Sequence, residues 1–194
     1  SLTRFAEAHR ETALMAGETP ALNAFPPSTV RVVSELAERT GPGPKASGDI
    51  TAIFSVLVAG SDFEEPVADM VRGILDGHIV LSRKIAERGR YPAIDILRSV
   101  SRSLPKAAPE SQNQSLHLFR ALMTTYDEIA PMVRAGLYEC GKDPKADIAY
   151  TLFPDLDRYL TESSDGIETA YAYLDGLLQP ARAAPTGDAP LEAA

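Results

Sequence analysis

Ten consecutive residues, Ile50 to Ala59 (ITAIFSVLVA), are apolar or β-branched except for Ser55 and show no alternation. A strand with one wet face alternates apolar and polar residues, whereas a strand covered on both faces does not need to. The run therefore predicts a buried strand in a layered α/β fold. His78–Ser82 and Tyr91–Ile96 read as two further strands. A helix through Val67, Met70, Val71 and Ile74 and a helical turn over Lys84–Arg88 are interleaved with them. Strands alternating with helices imply an α/β layer with a largely parallel sheet.

Helical periodicity frames this region. Residues 2 to 16 place Leu2, Phe5, Ala6, His9, Ala13 and Leu14 on one face, with Gly17 as the stop. Ser28 is expected to cap a second helix carrying Val30, Val33, Leu36 and Ala37, which ends at Thr40-Gly41-Pro42-Gly43. Past Pro105 no strand signal remains. Leu116, Phe119, Met123, Tyr126, Ile129, Val133 and Leu137 follow helical spacing, with Pro131 a potential kink. Asp143-Pro144 reads as an N-cap followed by proline, opening a helix with Ile148, Leu152, Phe153, Leu156 and Tyr159. Ser164 is expected to open the last helix, through Ile167, Tyr171, Leu174 and Leu178, and the Ala/Pro/Gly-rich stretch from Pro180 reads as a disordered tail. The expected division is a core over 1–104, a helical bundle over 105–179 and a tail over 180–194.

Composition narrows the function classes. A net charge of −8 argues against nucleic acid as the main partner, since phosphate binding needs clustered Lys and Arg. A single cysteine, Cys140, excludes a disulfide framework, makes the cytoplasm the default and is expected as a buried or inert thiol. His9, His78 and His117 lack metal-ligand spacing. No run approaches the ~18 apolar residues of a membrane helix. The chain opens on Ser1-Leu2-Thr3-Arg4 without a methionine, so a start further upstream is expected. No G-x-x-x-x-G-K-[ST] phosphate loop occurs, so the chain is either no ATPase or part of one.

Seven segments choose between these. Ser1-Leu-Thr-Arg-Phe-Ala6, Phe25-Pro-Pro-Ser28, Asp49-Ile-Thr-Ala52, Pro66-Val-Ala-Asp69, Leu75-Asp-Gly-His-Ile-Val-Leu-Ser-Arg83, Tyr91-Pro-Ala-Ile-Asp95 and Ser99-Val-Ser-Arg102 occur in one order. In that order and spacing the chain resembles the flagellar export ATPases, type III secretion relatives of the rotary ATP synthase alpha and beta subunits. The resemblance runs from residue 1 to about 179. It implies the C-terminal half of a RecA-like P-loop NTPase core followed by a small helical domain. The phosphate loop, the catalytic glutamate and the Walker B aspartate would lie upstream of Ser1, leaving this piece alone inactive and with no metal ligand of its own.

The resemblance also implies roles for residues. Arg102 matches the arginine finger that reaches the next subunit's ATP, and phosphoryl transfer calls for such a cation where charge develops. Tyr91 matches the tyrosine that stacks on adenine, and Arg4 an arginine near the phosphates. Arg83 reads as structural, paired with Asp76. The loop Asp62, Phe63, Glu64 and Glu65 matches the one facing the central stalk, where acidic residues suit a basic coiled coil. ATP and Mg2+ are the implied cofactors. The implied partners are five further copies in a homo-hexamer, a central stalk, a peripheral-stalk regulator and export chaperone–substrate complexes, without nucleic acid. The implied place is cytoplasmic, peripheral to a membrane export gate. Alternatives from the same residues are a virulence-type secretion ATPase, an ATP synthase subunit, a hexameric helicase, or a non-catalytic module that binds stalk or chaperone.

Overall fold

The computed structural model describes residues 1–20, 25–45, 47–58 and 65–184. They form two compact units, Ser1–His78 and Ile79–Ala194.

The first unit carries α1 (Leu2–Met15), α2 (Pro27–Glu38) and α3 (Pro66–Ile74). Its core is built from Leu2 and Ala6 of α1, Phe25, Val33 of α2, and Val67 and Val71 of α3. Gly17 does stop α1. At φ +85° it takes the left-handed conformation, its N–H donates to Leu14 O at 3.0 Å, and Glu18 N–H donates to Ala13 O at 3.0 Å. This pair of bonds satisfies carbonyls the last turn leaves open. The cap of α2 differs from expectation, because the helix begins at Pro27 with Pro26 preceding it. Ser28 sits inside the first turn, and its N–H and Oγ–H both donate to the Glu18 carboxylate at 3.0 and 2.5 Å. Glu18 thus satisfies the Ser28 N–H, one of the open donors of the first turn, and these two bonds hold its carboxyl below the usual carboxylate range.

The expected buried strand at 50–59 is corrected by the structure. Ile50 forms an isolated antiparallel bridge with Gly41, and residues 51–58 run on without joining a named strand. The segment is tied to the start of α1 instead. Leu2 N–H donates to Ser55 O at 2.8 Å, and Leu57 N–H donates to Thr3 Oγ1 at 2.8 Å. Phe54 and Val56 pack against the core, whereas Ile53 is 96% exposed and Leu57 and Ile50 are more than half exposed. A strand covered on both faces needs a layer on each side, and the described residues of this unit provide only one. Ala59 lies outside the described residues.

Among the described residues the two strands are β1 (Gly77–Leu81) and β2 (Ile94–Ser101), joined through α4 (Arg83–Glu87). β2 starts three residues later than expected and runs five further. Ser82 N–H donates to Ala93 O at 2.8 Å, which sets the end of β1 beside the start of β2. This pair therefore runs antiparallel, where the alternation of segments suggested a parallel neighbour.

The rest of the second unit is α5 (Glu110–Arg134), α6 (Pro144–Tyr159) and α7 (Ile167–Ala183). Phe119, Leu122 and Met123 of α5 meet Ala149, Leu152 and Leu156 of α6 and Leu174 and Leu178 of α7 in one cluster. Tyr126 and Phe153 stack with centroids 3.5 Å apart. Asp143 caps α6 as expected, accepting from Lys145 and Ala146 N–H at 2.9 and 3.3 Å. Ser164 does not cap α7, whose N-cap is Gly166. The helix also continues through Pro180 to Ala183. Its last turn is held by Arg182, which donates to Asp175 Oδ1 at 2.9 Å and to the buried Ser115 Oγ at 2.7 Å. Residues 185–194 of the expected tail lie outside the described residues.

Candidate functional site

The residues singled out from the sequence fall in different places. Arg4 lies exposed in the first turn of α1, in the first unit. Tyr91 and Arg102 belong to the second unit and bracket β2 at its two ends. Tyr91 precedes the strand, its peptide to Pro92 is cis, and its ring is 65% exposed. It is not the start of a buried strand but an exposed aromatic residue ahead of β2. Arg102 follows Ser101, the last residue of β2, and is exposed. Asp62, Phe63 and Glu64 lie outside the described residues, and Glu65 is the residue that leads into α3. Arg83 is not paired with Asp76: as the first residue of α4 its Nε donates to Glu87 Oε1 at 2.8 Å, one helical turn on.

The strand between Tyr91 and Arg102 is bent. Ser99 Oγ–H donates to Asp95 O at 2.6 Å, four residues back, and the same oxygen accepts Val80 N–H at 3.0 Å. Arg98 N–H donates to Asp95 Oδ1 at 3.2 Å. An extended strand holds residues four apart some 13 Å from each other, so these contacts require a local fold-back. Ile96 and Leu97, at the bend, pack against the helical core. Arg120 of α5 closes it from the other side. Its Nη1 donates to Ile96 O at 2.7 Å and to Ser99 O at 3.3 Å, and its Nη2 to Leu97 O at 3.0 Å. No local motif marks Arg120, which stands 21 to 24 residues from the carbonyls it reaches.

Other candidates resolve as structure. His9 Nδ1 lies 3.0 Å from Thr29 Oγ1, a packed histidine. Cys140 is exposed, not buried, on the α5–α6 connection. That connection is pinned by Asp147, which accepts from Tyr138 Oη–H and Gly141 N–H, both at 2.8 Å. Desolvation and the Asp147 carboxylate push the Tyr138 hydroxyl up to about 12. Among the described residues no three His, Cys, Asp or Glu side chains gather where a metal ion would sit.

Residues 1–101 match the model of the ATP synthase alpha/beta family, nucleotide-binding domain. The chain belongs to that family. Residues 108–178 match a second model, the T3SS EscN ATPase C-terminal domain. The SPI-2 type 3 secretion system ATPase of Salmonella typhimurium is 46% identical over 167 residues, 86% of this chain and 38% of that protein. The flagellum-specific ATP synthase of Caulobacter vibrioides is 41% identical over 187 residues, 92% of this chain and 42% of that protein. The assembled ATPase EscN from the enteropathogenic E. coli type III secretion system superposes with a TM-score of 0.84 at 35% identity, over 92% of this chain and 43% of EscN. In complex with its central stalk EscO, EscN superposes with a TM-score of 0.78 at 37% identity, over 92% of this chain and 42% of that one. The fold is thus RecA-like α/β followed by a helical domain, and the chain spans about two fifths of the length of the relatives it matches.

Proposed function

We propose that this chain is the part of a type III protein-export ATPase that supplies the arginine finger and the helical docking domain, over 1–104 and 105–179. The observation that carries this is Arg102: an exposed cation directly after β2, on a chain whose relatives are export ATPases. In such an enzyme ATP and Mg2+ bind mainly to the phosphate-loop segment that the longer relatives possess. Tyr91 fits one part of the nucleotide, because its open ring face can stack on adenine without base-specific hydrogen bonds. Magnesium finds no ligand group among the described residues.

Tyr91 and Arg102 sit at opposite ends of β2, which supports their serving two different nucleotides. Tyr91 would hold adenine at the subunit's own site, while Arg102 neutralises charge developing on the phosphate held by the neighbour. Arg4, at a helix N-terminus whose open N–H groups favour anions, is assigned to the phosphate side. This division requires a ring of subunits, and a homo-hexamer is the form proposed. A central stalk is proposed to contact the loop Asp62–Glu65, as EscN has a central stalk partner. The peripheral-stalk regulator and chaperone–substrate complexes are assigned to the whole assembly, at the cytoplasmic side of a membrane export gate. No described helix is long and apolar enough to cross a membrane. Flagellar export is the first reading; the 46% identity to a virulence-system ATPase keeps that system as the second.

The test uses a chimera in which this chain replaces the matching segment of the Salmonella SPI-2 ATPase. Arg102→Ala should lower kcat by about 10³-fold or more, the worth of an arginine finger, while ATP binding stays near that of the parent chimera. Turnover within a few-fold of the parent would remove Arg102 from the mechanism.

A further inference from the structure

An arginine at the end of a strand can act as a finger only if the strand end is held in one place. Transition-state stabilisation depends on placement, and an error of about 1 Å can cost 100-fold. β2 bends between Asp95 and Ser99, so a straight strand does not set the direction of its far end. The bend needs something to fix it.

Two features of the helical unit do this. The side chains of Ile96 and Leu97 are anchored in the apolar cluster of α5, α6 and α7. Arg120, one residue after the core residue Phe119, presents its guanidinium to the carbonyls of Ile96, Leu97 and Ser99. A planar fork of N–H donors can satisfy several carbonyls from one side chain, and charge-assisted bonds of this kind are stronger than neutral ones. A lysine in the same place offers a point charge on a flexible stem, not a fork. Ser99, the last carbonyl gripped, is three residues from Arg102.

We propose that Arg120 is a positioning residue for the arginine finger: by gripping the bend of β2 it sets the aim of Arg102 and makes the helical domain and the finger move as one body. The inference rests on the reading of Arg102 given above. It extends that reading by giving the helical domain a direct mechanical hold on catalysis in the neighbouring subunit. An event that tilts α5, such as docking of cargo on the bundle, shifts the finger without passing through the nucleotide site.

Four variants of the chimera test it: Arg120→Met, which keeps the aliphatic stem, Arg120→Lys, Arg102→Ala, and Arg102→Ala with Arg120→Met. The expected result for Arg120→Met is a fall in kcat of about 10- to 100-fold with KM for ATP within about twofold of the parent. Arg120→Lys should recover part of the loss, and the double variant should be no slower than Arg102→Ala alone, because a finger already absent cannot be misaimed. Hydrogen exchange on the present chain carrying Arg120→Met should show faster exchange over Leu97–Ser101 with α6 and α7 unchanged. Parental kcat in Arg120→Met beside an inactive Arg102→Ala overturns the positioning role and leaves the finger standing. Near-parental turnover in Arg102→Ala overturns the finger and this inference with it. If Arg120→Met loosens α6 and α7 as well, Arg120→Lys decides: a loss of about fivefold or more with protected helices supports the proposal, and parental turnover overturns it.

Discussion

Ile53 offers a substitution with opposite effects in two settings. It lies in the segment 50–58, is 96% exposed, and is flanked by Phe54, which packs inward. In the present chain, Ile53→Lys therefore removes almost no buried area, and its effect on stability should stay within about 0.5 kcal/mol, the usual range for surface changes. It also places a charge on an apolar, unpaired stretch, which blunts association between copies. In the chimera the family's upstream core is present, and a segment of this composition is expected to be covered on its second side. Burying an isoleucine contributes about 1.5–3 kcal/mol. Losing that and burying an ammonium in its place should cost about 3 kcal/mol or more. Urea unfolding followed by circular dichroism gives both values, and light scattering at matched concentration reads the association. A loss above about 1 kcal/mol in the present chain would show that Ile53 is not open there. Equal tolerance in both proteins would show that no upstream layer covers the segment, and would refute the reasoning.

Two further outcomes follow from the helical unit. Leu178 is fully buried at 0% exposure, so Leu178→Ala should cost about 3–5 kcal/mol, whereas Leu137→Ala at 68% exposure should cost less than about 0.5 kcal/mol; equal urea midpoints would contradict the core assignment. Asp175 accepts from Ser115 Oγ–H and pairs with Arg182, which together hold its carboxyl below the usual range. A depressed carboxylate stabilises the fold above its unfolded value and loses that contribution as pH falls through the folded one. The gap between the parent and Asp175→Asn should thus be open at pH 7, by no more than about 1 kcal/mol for so exposed a pair, and should begin to narrow below about pH 4, closing as the folded carboxyl takes up its proton. A gap as wide at about pH 2 as at pH 7 would count against it.

Local chemistry explains which elements were legible in the sequence. Gly17 stops α1 and Asp143 caps α6 because each acts through neighbours within a few residues. Ser28 and Ser164 carry the same kind of signal and fail as caps. At Ser28 the competing group is Glu18, ten residues back, whose carboxylate takes Ser28's own N–H and Oγ–H and so ties it inside the first turn. At Pro180 the sequence signal for a helix end is overridden by Arg182, whose partner Ser115 lies 67 residues away. The segment 50–58 has the residues of a strand covered on two sides, but burial belongs to the surroundings of a strand, and one side is open here.

The candidate site divides in the same way. Arg102 and Tyr91 could be read because they sit in short runs, Ser99-Val-Ser-Arg102 and Tyr91-Pro-Ala-Ile-Asp95, whose spacing is local. Arg120 could not, since its guanidinium acts on a bend that only the folded strand creates. Asp95 and Ser99 are four apart in a stretch read as extended, and nothing in that stretch announces that Ser99 Oγ reaches Asp95 O. Once the bend exists, the carbonyls of Ile96, Leu97 and Ser99 converge on one donor fork. The side chain proposed as the finger is thus readable from its own neighbourhood. The side chain proposed to aim it comes from α5 of the same compact unit, and through it a movement of the helices would reach the finger.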